Sequence, residues 1–155
     1  MSLSIAFVLI GPVVVVLSVV FLTVLDIATI TGTSMEPTLR QGDFVIALRR
    51  LRFVPIRRGC IVFVRPDRPG SRVWIKRVVA TSGEDYVTRL SEFSSLSLRQ
   101  AYRGRFDPSG QQVVHVPLEC VFIRGDSPGP IDSAFVGAIP VGRILAIVFI
   151  KLAPR

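Results

Sequence analysis

A serine hydroxyl becomes a useful nucleophile only when a neighbouring base takes its proton, so the chemistry open to this sequence depends on its bases. It contains one histidine, His115, in the strand-like run VVHVP, with nothing resembling a triad around it. The other known base for serine is a lysine in dry surroundings, because desolvation disfavours the ammonium form and lowers a lysine's pKa by as much as several units. Arginine does not deprotonate in proteins and cannot do this work. Of 19 Lys and Arg residues, only Lys76 and Lys151 are lysines. Lys76 lies inside the apolar run RVWIKRVVA, which makes it the candidate base; an outward-facing strand lysine is the competing reading. The candidate nucleophile is Ser34, in TGTSMEPTLRQGDFVIALRR from Thr31 to Arg50.

That stretch begins where an uncharged run ends. From Ser2 to Leu25 there is no Asp, Glu, Lys or Arg, and roughly 20 apolar residues suffice to cross a bilayer as a helix. A removable secretory signal would show a basic start and a shorter apolar core, yet no Lys or Arg precedes Arg40. An uncleaved transmembrane anchor over residues 1–26 is therefore expected, with a removed signal or a buried core helix as alternatives. Gly11-Pro12 is tolerable in a membrane helix, where neighbouring groups satisfy the freed carbonyl.

With 155 residues the chain has room for one further domain and one site. Its formal charge of +8 comes from scattered arginines without an aromatic-interleaved basic motif, so no nucleic acid is expected as a partner; anionic headgroups of the lipid bilayer suit a basic domain beside a membrane. One histidine excludes a multi-histidine metal site, and no metal or other cofactor is expected. Cys60 and Cys120 sit in apolar runs and read as buried free thiols.

After the anchor, short β-branched and aromatic runs broken by Gly and Pro predict a mostly β domain over residues 27–155. The runs are Asp43 to Leu48, Cys60 to Val64, Val73 to Ala80, Val113 to Val116, Cys120 to Ile123 and Arg143 to Ile150. The polar stretch from Glu84 to Gln112 reads as a long hairpin or irregular insertion, its variable part at about 86–112.

Four segments in order, TSMEPTLRQGDFV, RRGCIVFVRP, WIKRVVATSGEDY and VFIRGDSPGPIDSAFVG, resemble the successive boxes of the type I signal peptidase family, membrane-bound serine/lysine proteases. The resemblance covers most of residues 26–145 outside the insertion. It implies a compact β-rich catalytic domain on one N-terminal transmembrane helix, with Ser34 as nucleophile and Lys76 as general base. Arg77, Asp126, Asp132 and Ser133 match supporting positions around the dyad, while Ile30, Met35, Trp74 and Ile75 match positions lining pockets for small side chains. The implied substrates are signal peptides or presequences of translocated proteins, cut after small residues on the trans side of a bacterial cytoplasmic or mitochondrial inner membrane. A partner subunit is neither required nor excluded by these residues. The sequence departs from the family pattern at Gly32, where a hydroxyl residue is common, at Cys60 for the usual Asp, at Ser127 for Asn and at Ala134 for Arg. The Gly-x-Ser-Met form and short chain resemble the mitochondrial inner membrane peptidases and shorter bacterial members. A dedicated maturase for one exported substrate, or a catalytically dead membrane-anchored binding protein, are the rival readings.

Overall fold

The computed structural model describes residues 2–49, 54–67, 70–92, 103–105, 107–127 and 133–152. Helix α1 runs over Ser2–Val24, 23 residues without a charge, about 34 Å at the helical rise of ~1.5 Å per residue. Pro12 lies within it. Side chains within α1 are described for residues 10–19 and 21–24, and in that reduced set no helical stretch is both long and apolar enough to cross a membrane. Those side chains are turned outward: Val13 to Leu17 are each more than half exposed, and Leu22 is 72% exposed.

The rest of the chain is mostly β. β1 (Leu25–Thr29) follows α1 directly and pairs antiparallel with β2 (Phe44–Arg49). β3 (Ile61–Val64), β4 (Trp74–Ala80), β7 (Cys120–Arg124), β8 (Ile139–Pro140) and β9 (Ile144–Leu152) complete a seven-stranded sheet of order β1-β2-β9-β3-β4-β7-β8. The final strand thus inserts between β2 and β3 and closes the sheet beside its first hairpin. A second sheet is the hairpin of β5 (Asp85–Arg89) and β6 (Gln111–His115). The one further described α-helix, α2 (Ser133–Val136), is a single turn.

The apolar runs expected to be strands correspond to β2, β3, β4, β6, β7 and β9, with ends shifted by a residue or two. Three strands escaped composition. β1 continues the apolar run of α1 and has no turn signal before it. β8 has only two residues. β5 opens the polar stretch that reads as a long hairpin or irregular insertion, and a hairpin is what forms there: DYVTR pairs with QQVVH from Asp85↔His115 to Arg89↔Gln111, with the polar Thr88 buried and the apolar Val87 and Val113 turned outward, which disguises the alternation. Residues 93–102 within that stretch lie outside the described set. Cys60 and Cys120 are free, as expected, but half-buried.

Two buried clusters flank the sheet near the residues of interest. One gathers Val62, Val64, Val78, Val121, Ile123, Ile139 and Ile144. The other gathers Ile30, Met35, Leu39, Val45 and Ile75, and so stitches the β1–β2 connection onto β3 and β4.

Candidate active site

Ser34 lies in the connection between β1 and β2, residues 30–43, whose neck is closed by two backbone bonds: the Ile30 N–H donates to the Asp43 carbonyl (2.8 Å) and the Gly42 N–H to the Ile30 carbonyl (2.9 Å). Inside it the Leu39 N–H donates to the Met35 carbonyl at 2.8 Å. Gly32 takes φ of +97°, a left-handed conformation that suits a residue without Cβ and turns the chain into the Ser34 segment. Met35 and Leu39, each 1% exposed, pin the far side of this segment to the core. Ser34 itself is half-buried.

Lys76 occupies the middle of β4 and is 5% exposed. Its partner across the sheet is Val62 on β3. Beyond the end of β7, Gly125 brings this strand and the Ser34 turn together. A Cβ placed on Gly125 would stand 2.7 Å from the Ser34 carbonyl oxygen and 3.4 Å from Lys76 Nζ. The nucleophile candidate's backbone and the candidate base's nitrogen therefore lie against the same bare Cα. The Ser127 N–H closes the arrangement by donating to the Ser34 carbonyl at 3.1 Å.

Beside them is a charged clamp. Arg77 Nε donates to Asp126 Oδ1 (2.7 Å) and its Nη2 to Oδ2 (2.6 Å), the fork geometry for which arginine is suited. The same guanidinium donates to the Gly59 carbonyl at 2.9 Å and to Thr38 Oγ1 at 3.2 Å. Arg77 thus ties β4 to the β7 exit, to the turn before β3 and to the Ser34 connection. Burial alone would raise the Asp126 carboxyl, but hydrogen bonds from Arg77 and Thr38 outweigh it and hold the group below its ordinary value. Reciprocally, the hydrogen-bonded carboxylate raises Arg77.

Ser133, 2% exposed, accepts the Ile123 N–H on its Oγ at 2.9 Å, so that its hydroxyl holds α2 to β7. Asp132 lies outside the described residues. Of the four residues expected to line pockets, Ile30, Met35 and Ile75 share the second cluster. Trp74 does not join them: it is half-buried against the first cluster, because successive strand residues face opposite ways. Next to the second cluster, Ala28 and Phe63 border an open cleft of about 600 Å³, also lined by Asp26, Arg49, Val73 and Ala146. His115 is engaged elsewhere: its ring pairs with Asp85 across the β5–β6 hairpin at 2.7 Å.

Two residues of this arrangement, Gly125 and Thr38, carry no signal of their own in the sequence. Gly125 sits in an uninformative Gly-Asp pair. Thr38 resembles any turn threonine, and only its place four residues after Ser34 in the same motif hints at proximity.

The match to a family is extensive. Residues 3–153 fit the model of the family described as "Signal peptidase, peptidase S26", and the chain belongs to that family of serine-type peptidases. Among curated proteins it is 33% identical over 129 residues to "Mitochondrial inner membrane protease subunit 1" of Homo sapiens, covering 80% of this chain and 67% of that protein. The protein of the same name from Mus musculus is 32% identical over 127 residues, with the same coverage. The one from Xenopus tropicalis is 27% identical over 132 residues, covering 83% and 70%.

Proposed function

We propose that this chain is a membrane-anchored signal peptidase that hydrolyses signal-peptide or presequence bonds after small residues, with Ser34 as nucleophile and Lys76 as general base. The observation that supports it most is the convergence at Gly125 of the Ser34 backbone and a lysine nitrogen on a nearly fully buried side chain. Burial favours the neutral amine that a base must present.

The chemistry follows in two halves. Ser34 Oγ attacks the scissile carbonyl while Lys76 Nζ accepts the hydroxyl proton, and the Ser34 N–H donates to the oxyanion, a contact worth roughly 3–4 kcal/mol in sites of this type. The tetrahedral species collapses as Lys76 returns the proton to the departing amine, leaving an ester on Ser34. Water, deprotonated by the same lysine, then attacks that ester and Ser34 Oγ leaves with the proton. Arg77 and Asp126 act as positioning residues, since they reach Thr38 and the Gly125 segment. An extended substrate segment suits the cleft along Ala28, Phe63 and Val73, whose apolar lining favours apolar side chains.

For the membrane, support comes from α1 and from what lies beside it. Cross-strand rows Ile27↔Ile46↔Ile150 and Thr29↔Phe44↔Leu152 put apolar residues on one face of the β1-β2-β9 end of the sheet. Ile27 is 69% exposed, Phe44 45%, and Ile150 and Leu152 42% each. Such a face, contiguous with an uncharged helix, suits the lipid interface. We place the catalytic domain on the trans side of a bacterial cytoplasmic or mitochondrial inner membrane, where translocated substrates emerge.

The test uses purified full chain in detergent micelles with an internally quenched peptide bearing alanine at the scissile residue and two residues before it. Ser34→Ala abolishes cleavage and labelling by a serine-acylating inhibitor, and Lys76→Arg lowers kcat by roughly 10² to 10⁴, the range of general-base contributions. Wild-type protein that neither cleaves nor labels would point instead to a binding protein. Labelling of Ser34→Ala, or more than about a tenth of wild-type activity in Lys76→Arg, would remove those residues from the mechanism.

A further inference from the structure

The second lysine of the chain is not a surface ornament of the last strand. Lys151 on β9 stands opposite Val45 on β2, and its ammonium contacts Asp43 Oδ2 at 2.7 Å and donates to the Thr38 carbonyl at 3.1 Å. Asp43 is 2% exposed. Its carboxylate also accepts the Arg40 N–H at 2.7 Å, while its own N–H donates to the Arg40 carbonyl at 3.0 Å and its carbonyl accepts Ile30 N–H. This one residue therefore shapes the C-terminal side of the Ser34 connection through its carboxylate, N–H and carbonyl together, and a buried carboxylate left without a cation is costly.

Thr38 is where two supports meet. Its hydroxyl is reached by Arg77 from β4, and its carbonyl by Lys151 from β9. Arg77 is anchored by Asp126 on one side, and Lys151 by Asp43 on the other. Two cation–carboxylate pairs from different strands thus hold a single residue four positions after Ser34. We propose that Lys151 is a positioning residue of the peptidase: acting through Asp43 and the Thr38 carbonyl, it sets where the Ser34 turn stands relative to Lys76, so that the C-terminal strand contributes to catalysis without touching substrate. This rests on the reading of Ser34 as the nucleophile. A displacement of about 1 Å in a reacting group can cost as much as 10² in rate, and a lost support at Thr38 acts on that scale while leaving the cleft intact.

The experiment compares Lys151→Met, Lys151→Arg, Asp43→Asn and the double variant Lys151→Met/Asp43→Asn with wild type and Ser34→Ala, as full chains in micelles with the quenched peptide. The expected result for Lys151→Met is a fall in kcat of roughly 10- to 100-fold with KM changed less than about threefold. Lys151→Arg, which keeps a cation within reach, restores most of kcat. Because both residues act along one path, the double variant loses no more kcat than the worse single one. Thermal melting followed by circular dichroism accompanies each variant. Unchanged kcat in Lys151→Met beside an inactive Ser34→Ala would overturn the positioning role and leave the nucleophile assignment standing. A loss that Lys151→Arg does not restore, or that matches the fall in Tm across all the variants, would make Lys151 merely structural and equally overturn it. If Lys151→Met does not fold, the same criteria are applied to Asp43→Asn against Lys151→Arg: full kcat in Asp43→Asn refutes the path. Activity surviving in Ser34→Ala would remove the nucleophile reading and this proposal with it.

Discussion

Replacing Gly125 by alanine tests the proposed site most directly, because the added atom has nowhere to go. Its Cβ would stand 2.7 Å from the Ser34 carbonyl oxygen and 2.9 Å from the Ser127 carbonyl oxygen. Both neighbours are backbone, and comfortable heavy-atom separations are roughly 3.5–4.0 Å, so relief requires moving one or both carbonyls by several tenths of an ångström at least. The bond from Ser127 N–H to the Ser34 carbonyl couples the two, so the strain is passed to the Ser34 turn. Lys76 Nζ, 3.4 Å away from the new methyl, is the flexible neighbour and gives more readily. Overpacking of this kind costs about 1–3 kcal/mol, whereas displacement of a nucleophile by a fraction of an ångström to 1 Å costs up to about 10² in rate. Gly125→Ala should therefore lower kcat by roughly 30- to 100-fold with a modest loss in melting temperature. Gly142 provides the control: a Cβ there meets nothing within 4 Å and its φ is not positive, so Gly142→Ala should keep wild-type kcat. The assay is steady-state cleavage of the quenched peptide, with Tm measured on the same samples. A Gly125→Ala enzyme within threefold of wild-type kcat would refute the claim that the Ser34 backbone and Lys76 are packed against this residue in the working enzyme.

Two further outcomes follow from the clamp and the apolar face. Because Asp126 is held below its ordinary value of 3.8, the deprotonated form is favoured by folding; the stability it contributes is complete above 3.8 and drains away as pH falls through the lower folded value. Asp126→Asn should cost about 1.5–3 kcal/mol at neutral pH, the range for hydrogen bonds to charged groups, and flatten part of the acid loss expected in urea titrations between neutral pH and about pH 2. Asp43, lowered by the Arg40 N–H and by Lys151, would retain the rest; an acid profile unchanged in Asp126→Asn would contradict the pairing. For the membrane, cysteines introduced at Ile27 and Phe44 in a chain whose Cys60 and Cys120 are replaced by alanine, then labelled with a fluorophore, should be quenched by doxyl lipids in proteoliposomes. A label at Leu118, 83% exposed and just before β7, toward the opposite end of the sheet order from β1 and β2, should not; equal quenching at all three sites would argue against docking by the sheet.

Residue types and order carried much of this protein on their own. The uncharged run before Asp26, the β-branched runs that became six of the strands, and a lysine kept among arginines inside one of them were all legible, since hydrophobic periodicity and side-chain chemistry are local properties. So was the family, because TSMEP, WIKRV and RGD occur in a fixed order. What the linear pattern did not contain was anything set by contact across the sheet. That β9 returns between β2 and β3 decides that Lys151, far beyond Asp43 in the chain, neutralises it. That β7 ends beside β4 decides that Gly125, rather than a residue with a side chain, separates Ser34 from Lys76. Trp74 and Ile75, neighbours read together as pocket residues, were divided between two clusters by strand alternation and packing. A hairpin is one of two readings for the polar stretch after Glu84, but β5 itself has no apolar run to mark it: its inward Thr88 is polar yet 1% exposed, while its Val87 faces outward, and such a strand is recognised by its partner rather than by its composition.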